Sequence, residues 1–107
     1  MYLIRRIYKT KPGQARKVAS LVHKQAQIYR DAGQRPEFKV YFNGYTMPGE
    51  QDVVCLEWAE ETIQSPMREG NDLPEEALLV GQEVRKLIEG QRLEFFELLT
   101  EYKIIRN

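Results

Sequence analysis

Four apolar residues follow one another in the stretch Asp52-Val53-Val54-Cys55-Leu56-Glu57-Trp58-Ala59. This run is short and contains β-branched residues, and the turn-forming segment 47–51 precedes it, so residues 52–59 are predicted to form a β-strand. Successive side chains of a strand point to opposite faces of its sheet. An apolar run without alternation therefore predicts a strand that is covered on both faces.

Two further strands are predicted on the N-terminal side of this stretch. Residues 2–8 are rich in β-branched and aromatic side chains. Residues 38–45 alternate cleanly, with Phe38, Val40 and Phe42 on one face and Lys39, Tyr41, Asn43 and Tyr45 on the other. The strand over 38–45 is therefore predicted to be half-exposed.

Two long helices are predicted, one before the strand over 38–45 and one after the strand over 52–59. The first has Pro12 in its first turn and Gly33 as its C-terminal cap, and its apolar face is formed by Ala15, Val18, Ala19, Val22, Ala26 and Tyr29. The second covers residues 74–89 and is closed by Gly90. Gly81 interrupts its apolar face, which indicates either a close approach to the sheet or space left open at that point.

The remaining segments complete a symmetrical order of elements. Residues 60–67 are predicted to form a short helix and residues 68–73 a loop, either a lid or a connector. A last strand is predicted over 93–99, with an extension through Tyr102, Ile104 and Ile105. The order β-α-β-β-α-β predicts one α+β domain over residues 1–107, a ferredoxin-like sandwich with an antiparallel sheet and two main helices on one face.

The sheet face that the helices leave bare is predicted to be apolar as well. In residues 2–8, for example, Ile4 and Tyr8 fall on one face and Leu3 and Ile7 on the other. A large exposed apolar face is rare in soluble monomers, so the sequence predicts a homodimer through this face. We expect Leu56→Asp or Ile4→Asp to prevent dimer formation or folding, because a carboxylate would be buried without a partner.

Composition excludes several classes of function. The chain has 107 residues with 16 Lys and Arg against 16 Asp and Glu, which argues against nucleic-acid or anionic-membrane binding. One cysteine and one histidine cannot form a Cys/His zinc site in a monomer, and no cofactor or metal is assigned. Cys55 is expected to be an inert buried side chain. The N-terminal residues lack the pattern of a secretory signal and no apolar run is long enough to span a bilayer, so a cytoplasmic protein is expected.

Charge is divided unevenly along the chain. Residues 1–50 contain ten Lys or Arg and three Asp or Glu, whereas residues 51–107 contain six and thirteen. The two halves either pack side by side within one domain or meet head to tail between two chains.

Three short motifs resemble the dimeric α+β barrel superfamily, which includes the antibiotic-biosynthesis-type monooxygenases, NIPSNAP-like proteins and stress-responsive barrel domains. They are Lys11-Pro12-Gly13 after the first strand, Glu57-Trp58 at the end of the third, and the closing segment Leu87-Ile88-Glu89-Gly90-Gln91-Arg92-Leu93-Glu94-Phe95-Phe96. The resemblance covers nearly the whole chain. It implies a pocket for a small apolar or aromatic molecule between helices and sheet in each subunit.

No catalytic residue is assigned, but two side chains are candidates. His23 is the single imidazole, a candidate general base or haem ligand, and it lies at the edge of the first helix's apolar face. Trp58 is either a core aromatic or a flat wall for an aromatic substrate. In the haem-degrading branch of the superfamily an Asn on the first strand cooperates with a Trp and a His, whereas the matching stretch here contains Arg5 and Arg6.

Three further residues are candidates for binding a ligand. Tyr2 and Tyr41 could orient it through their hydroxyl groups. Arg68, like Arg5 and Arg6, could bind an acidic group or be a solvated or dimer-rim arginine.

Three functions follow in order of preference. The first is a homodimeric barrel protein that binds a small molecule between sheet and helices or has this gap filled by side chains. The second, implied by the resemblance, is a cofactor-independent monooxygenase that oxidises an electron-rich aromatic substrate. The third is haem binding through His23.

Overall fold

The computed structural model describes residues 1–34, 36–65 and 67–106. These residues form four strands and two α-helices, in the chain order β1 (Tyr2–Thr10), α1 (Ala15–Asp31), β2 (Phe38–Asn43), β3 (Val53–Glu60), α2 (Glu75–Leu87) and β4 (Ile88–Glu97). The strands lie in the order β2-β3-β1-β4, and every neighbouring pair is antiparallel. The predicted ferredoxin-like α+β class is confirmed. Among the described residues, no helix combines the length and apolar character needed to cross a bilayer.

Asp52 explains why β3 begins one residue later than predicted. Its backbone is in the left-handed region, with φ of 57°, which a strand cannot accommodate. Its carboxylate accepts hydrogen bonds from the backbone N–H of Gly13 at 3.1 Å and the hydroxyl of Tyr45 at 2.7 Å, and its carbonyl accepts one from the N–H of Thr10. Asp52 therefore joins the turn after β1 to the connection before β3. Tyr45 belongs to this junction, and β2 ends at Asn43.

The second half of the chain departs further from expectation. The helix predicted over 60–67 is wrong, since the described residues between β3 and α2 form no helix; Pro66 lies outside the described residues. Gly90 does not close α2 but lies in β4 opposite Lys9. The helix ends at Leu87, whose carbonyl accepts a hydrogen bond from the N–H of Lys11 at 2.9 Å. This long-range bond replaces a glycine cap, and the chain continues directly as strand from Ile88.

The last strand is longer at its start and shorter at its end than predicted. It extends from Ile88 to Glu97, and a β-bulge lies between Lys9 and Thr10 where β1 meets its first residues. The predicted extension through Tyr102, Ile104 and Ile105 is wrong, because a short 3-10 helix forms at Glu101–Lys103.

The core lies between the helices and one face of the sheet. Burial alternates along β3, where Val54, Leu56 and Trp58 are buried and the residues between them are partly exposed. The helices contribute the buried residues Ala15, Val18, Ala19, Val22, Ala26, Ala77, Val80 and Val84. Within one chain, the four-residue apolar run is therefore covered on one face, and cover on its other face by a second subunit stays a prediction. Cys55 lies on the other face and is partly exposed, and partial burial raises the pKa of its thiol.

The outer face, defined as the sheet face away from the helices, combines apolar and charged side chains. Apolar residues include Leu3, Ile7, Val53, Ala59 and Phe96. A row of Lys39, Glu57, Arg5 and Glu94 crosses the four strands with charges of alternating sign. The Nη2 atom of Arg5 lies 3.3 Å from Oε1 of Glu57. The oppositely charged halves of the sequence thus meet within one chain.

The two helices cover the sheet unequally. Helix α1 packs on β2 and β3, whereas α2 packs mainly on α1 and touches β4 only slightly. As a result, Leu93 and Phe95 remain 45% and 49% exposed although they lie on the helix side of β4. The edge of the sheet at β1 and β4 is left open beneath α2.

Candidate functional site

A cavity of about 400 Å³ lies in this opening between the sheet and the helices. Its floor is formed by side chains of β1, β3 and β4, among them Ile4, Leu56, Leu93 and Phe95. Its walls come from Gln25 and Tyr29 of α1 and from α2, and residues of the 63–73 segment line its rim. The volume falls within the range of small-molecule sites, roughly 300 to 1,000 Å³.

Trp58 is the largest aromatic side chain of the floor. The residue is only 9% exposed, and Nε1 donates a hydrogen bond to Oε1 of Glu60 at 3.1 Å. The bond satisfies the indole N–H, which would otherwise be costly to bury. Together with Phe95 and Leu93, the indole gives the cavity a predominantly apolar and aromatic floor. Such a floor suits the flat body of an aromatic molecule.

Polar groups are placed at defined points around this apolar floor. Arg6 lies in the middle of β1 on the helix side, and its Nη1 donates to Oε1 of Gln91 at 2.9 Å. Arg68 lies at the rim, where its Nη1 donates to the carbonyl of Ser65 at 2.8 Å. Arg85 reaches the cavity from α2. A few polar groups in an apolar cavity are the arrangement that orients a bound molecule.

Gly81 allows α1 and α2 to pack closely beside the cavity. A Cβ atom at this position would lie 2.8 Å from Nε2 of Gln25, and that nitrogen donates to the carbonyl of Ala77 at 3.1 Å. The close approach considered from the sequence is therefore present, but it is made by a side chain of α1 and not by the sheet. Gly81 also lines the cavity, so the second alternative, open space, holds as well.

The structure places two of the five predicted site residues at the cavity. Trp58 and Arg68 both line it. Tyr2, at the start of β1, is not among its lining residues. His23 is exposed on α1, where its ring packs edge-on against Phe38 with centroids 5.2 Å apart and borders a separate open depression.

Tyr41 lies on the outer face and so on the opposite side of the sheet from the cavity. Its hydroxyl donates to Oε1 of Glu57 at 3.1 Å. Burial and then this hydrogen bond raise the pKa of Tyr41 to about 12. Its phenol therefore remains protonated and is linked to the Arg5–Glu57 ion pair.

Several cavity residues are not among the site residues that the sequence predicts. Leu93 and Phe95 belong to a predicted strand, but strand alternation does not say which of its faces the helices cover. Arg85 follows Gly81 by four residues and so lies on the same helical face, a spacing that could have identified it. Among the described residues, no group of three or more His, Cys, Asp or Glu side chains is placed to hold a metal ion.

Comparison with known proteins shows which solved structures have a similar fold. No family model and no curated protein matches the sequence. Among solved structures, an uncharacterised NIPSNAP domain protein from Burkholderia xenovorans superposes with a TM-score of 0.71 at 13% identity, covering 94% of this chain and 97% of that one. A NIPSNAP family protein from Agrobacterium tumefaciens gives a TM-score of 0.65 at 16% identity, covering 98% of each chain. This chain shares its fold with both of these proteins.

An antibiotic biosynthesis monooxygenase shares the same fold. Its TM-score is 0.64 at 9% identity, and the superposition covers 94% of this chain and 100% of that one. The predicted resemblance to NIPSNAP-like and monooxygenase-like proteins is therefore confirmed at the level of the fold. Because folds of this kind host unrelated functions, the site itself has to support any activity.

Proposed function

We propose that this chain is a single-domain homodimeric protein that binds a small apolar or aromatic molecule in the cavity beneath α2. The observation that carries the proposal is a cavity of about 400 Å³ whose floor includes Trp58, Leu93 and Phe95. Leu93 and Phe95 are about half-exposed, so a ligand would remove apolar surface from water. Each square ångström of apolar surface buried contributes about 25 cal/mol, which makes this floor a source of affinity.

A second copy of the chain is proposed to cover the outer face. Phe96 lies on this face and is 47% exposed, and the segment after β4 also exposes Leu99, Tyr102 and Ile105. An isologous contact would bury the same patch on both subunits at once. The alternating charges of the Lys39, Glu57, Arg5 and Glu94 row allow two such faces to meet without a net repulsion.

Binding can be measured directly because Trp58 is the single tryptophan of the chain. We expect 2-naphthamide, a neutral aromatic probe, to quench Trp58 fluorescence in a saturable manner when it binds beside the indole. The variant Leu93→Asp should weaken quenching at least tenfold, because it places a carboxylate beside the apolar floor. Leu79→Asp is the matched control, since Leu79 is similarly exposed on α2 but does not line the cavity. Lack of saturable quenching by this probe and by its carboxylate counterpart, 2-naphthoate, would contradict the proposal.

A cofactor-independent monooxygenase is the alternative function. The aromatic cavity floor favours it, together with the fold shared with an antibiotic biosynthesis monooxygenase. In this case the cavity would hold an electron-rich aromatic substrate while it reacts with oxygen. Oxygen uptake that depends on 1-naphthol, is lost in Leu93→Asp and persists in Leu79→Asp would support catalysis. If 1-naphthol binds in a saturable manner but causes no oxygen uptake, the monooxygenase alternative fails and the binding function stands.

A further inference from the structure

Arg6 lies in unusually apolar surroundings for an arginine. Its neighbours along the same face of β1 are Ile4 and Tyr8, both 4% exposed. Directly across the sheet on the same face lie Leu56 of β3 and Leu93 of β4. A guanidinium in such a position loses part of its hydration, and this cost must be compensated by hydrogen bonds or by an opposite charge.

The compensation supplied within the described chain is incomplete. A guanidinium carries five N–H donors, and the hydrogen bond described for Arg6 uses one of them, toward the neutral amide of Gln91. No ion pair described for residues 1–34, 36–65 and 67–106 includes Arg6. Arg5, its neighbour on the outer face, has Glu57 at 3.3 Å. Among the described residues, Arg6, which is only partly buried, therefore has no carboxylate paired with it.

The charged residues that line the cavity leave an excess of positive charge. Among the described residues that line it, three arginines, Arg6, Arg68 and Arg85, face a single acidic residue, Glu60. The carboxylate of Glu60 already accepts the indole N–H of Trp58. The chain as a whole has no net charge, so this excess is a local property of the cavity and not a general attraction for anions.

We infer that the ligand of this cavity carries a carboxylate at one end of its apolar or aromatic body, and that Arg6 is the residue that binds it. The inference rests on the proposed binding function and adds the chemical class of the ligand. A carboxylate fits the planar fork of a guanidinium with two parallel hydrogen bonds, which are stronger than bonds between neutral groups. The aromatic body would lie on Trp58 and Phe95, with Arg68 and Arg85 adding to the positive potential.

The test compares two probes that differ in charge but little in shape, 2-naphthoate and 2-naphthamide, by quenching of Trp58 fluorescence at pH 7 and low salt. We expect 2-naphthoate to bind at least tenfold more tightly. Equal affinities, or tighter binding of the amide, would overturn this inference and leave the proposed function standing. If neither probe quenches, the proposed function itself fails.

Variants assign the preference to Arg6. Arg6→Gln should remove most of the tenfold preference while 2-naphthamide still binds, which also shows that the variant is folded. Arg85→Gln, at an exposed position of α2, should reduce the preference for 2-naphthoate by two- to threefold. This variant is the substitute test if Arg6→Gln does not fold. Arg16→Gln, on an exposed part of α1 outside the cavity, should leave it unchanged. A preference that persists in full in Arg6→Gln, or in Arg85→Gln when the former is unfolded, would overturn the inference.

Discussion

The side chain of Gln25 on α1 donates a hydrogen bond to the backbone carbonyl of Ala77 on α2 across 3.1 Å, and it passes over the bare backbone of Gly81. This contact fixes how closely the two helices approach beside the cavity. A side chain at Gly81 and the amide of Gln25 cannot occupy the same space, because a Cβ there would lie 2.8 Å from Nε2.

A double-mutant cycle tests this relationship. Gln25→Ala alone should lower the free energy of unfolding by about 1 kcal/mol, the usual contribution of such a hydrogen bond. Gly81→Ala displaces Gln25 but improves helix propensity by about 1 kcal/mol, so its net effect should be small. Adding Gln25→Ala to Gly81→Ala should then cost little, as measured by urea denaturation. Additive effects of the two substitutions would show that the residues do not interact.

Asp52 is a buried carboxylate in the connection before β3, 8% exposed, and should contribute strongly to stability. Asp52→Ala removes hydrogen bonds to Gly13 and Tyr45 and places alanine at a φ of 57°, so we expect a loss of about 3 kcal/mol. Asp52→Asn keeps an acceptor oxygen and tolerates this backbone conformation, so its loss should be about 1 kcal/mol. Glu50→Ala, an exposed neighbour, is the control. Equal losses for the Ala and Asn variants would contradict this role.

Tyr41 makes stability depend on pH in the alkaline range. Its pKa of about 12 in the folded chain exceeds the ordinary value of 10, so the folded state holds the phenolic proton more tightly than the unfolded state. The stabilisation is fully present below pH 10 and is lost as pH rises from 10 toward 12. Urea midpoints should therefore fall less steeply over this interval in Tyr41→Phe than in the wild type. Tyr102→Phe, at an exposed tyrosine, should behave like the wild type.

The proposed dimer depends on the outer face, and Phe96 is the position to test. Phe96→Asp should convert a dimer to a monomer in light scattering, with circular dichroism unchanged. Phe42→Asp is matched in exposure, 46% against 47%, but lies on the other side of the sheet and should leave the dimer intact. A monomeric mass for the wild type at micromolar concentration would contradict the proposal.

The substitutions Leu56→Asp and Ile4→Asp do not test the dimer. Leu56 is 2% exposed and Ile4 4%, and both belong to the core beneath the helices. A carboxylate at either position should unfold the chain before any effect on association could be observed.

Haem binding through His23 is tested separately, by titration with hemin. His23 lies on an exposed face of α1 outside the cavity and packs against Phe38. We expect a hemin titration to give no Soret shift that depends on this residue. A shift in the wild type that is lost in His23→Ala would show that the depression around His23 binds haem.

Local sequence patterns predicted the parts of the fold that depend on local physics. The apolar spacing of α1 places Val18, Val22 and Ala26 in the core, as the 3.6-residue period requires. The two-residue period of a strand likewise places Val54, Leu56 and Trp58 together on one face of β3, the face that the helices cover. The end of α2 was misplaced because a distant N–H, that of Lys11, caps it in place of Gly90.

The candidate site was less predictable because it depends on how the elements pack. Trp58 could be selected as an aromatic residue at a strand end. The cavity above it exists because α2 leans on α1 and leaves β4 uncovered, a relationship that no pattern within α2 or β4 encodes. The floor position of Arg6 likewise depends on which face of β1 the helices cover.

The direct passage from α2 into β4 has a mechanical consequence for this cavity. Leu87 ends the helix and Ile88 begins the strand, so the roof and the outer edge of the floor are one continuous piece of chain without slack. Tilting α2 away from the sheet would pull on the bulged pairing at Lys9 and Thr10. The roof therefore cannot swing like an independent flap, and a guest molecule enters through the gap that already exposes Leu93 and Phe95.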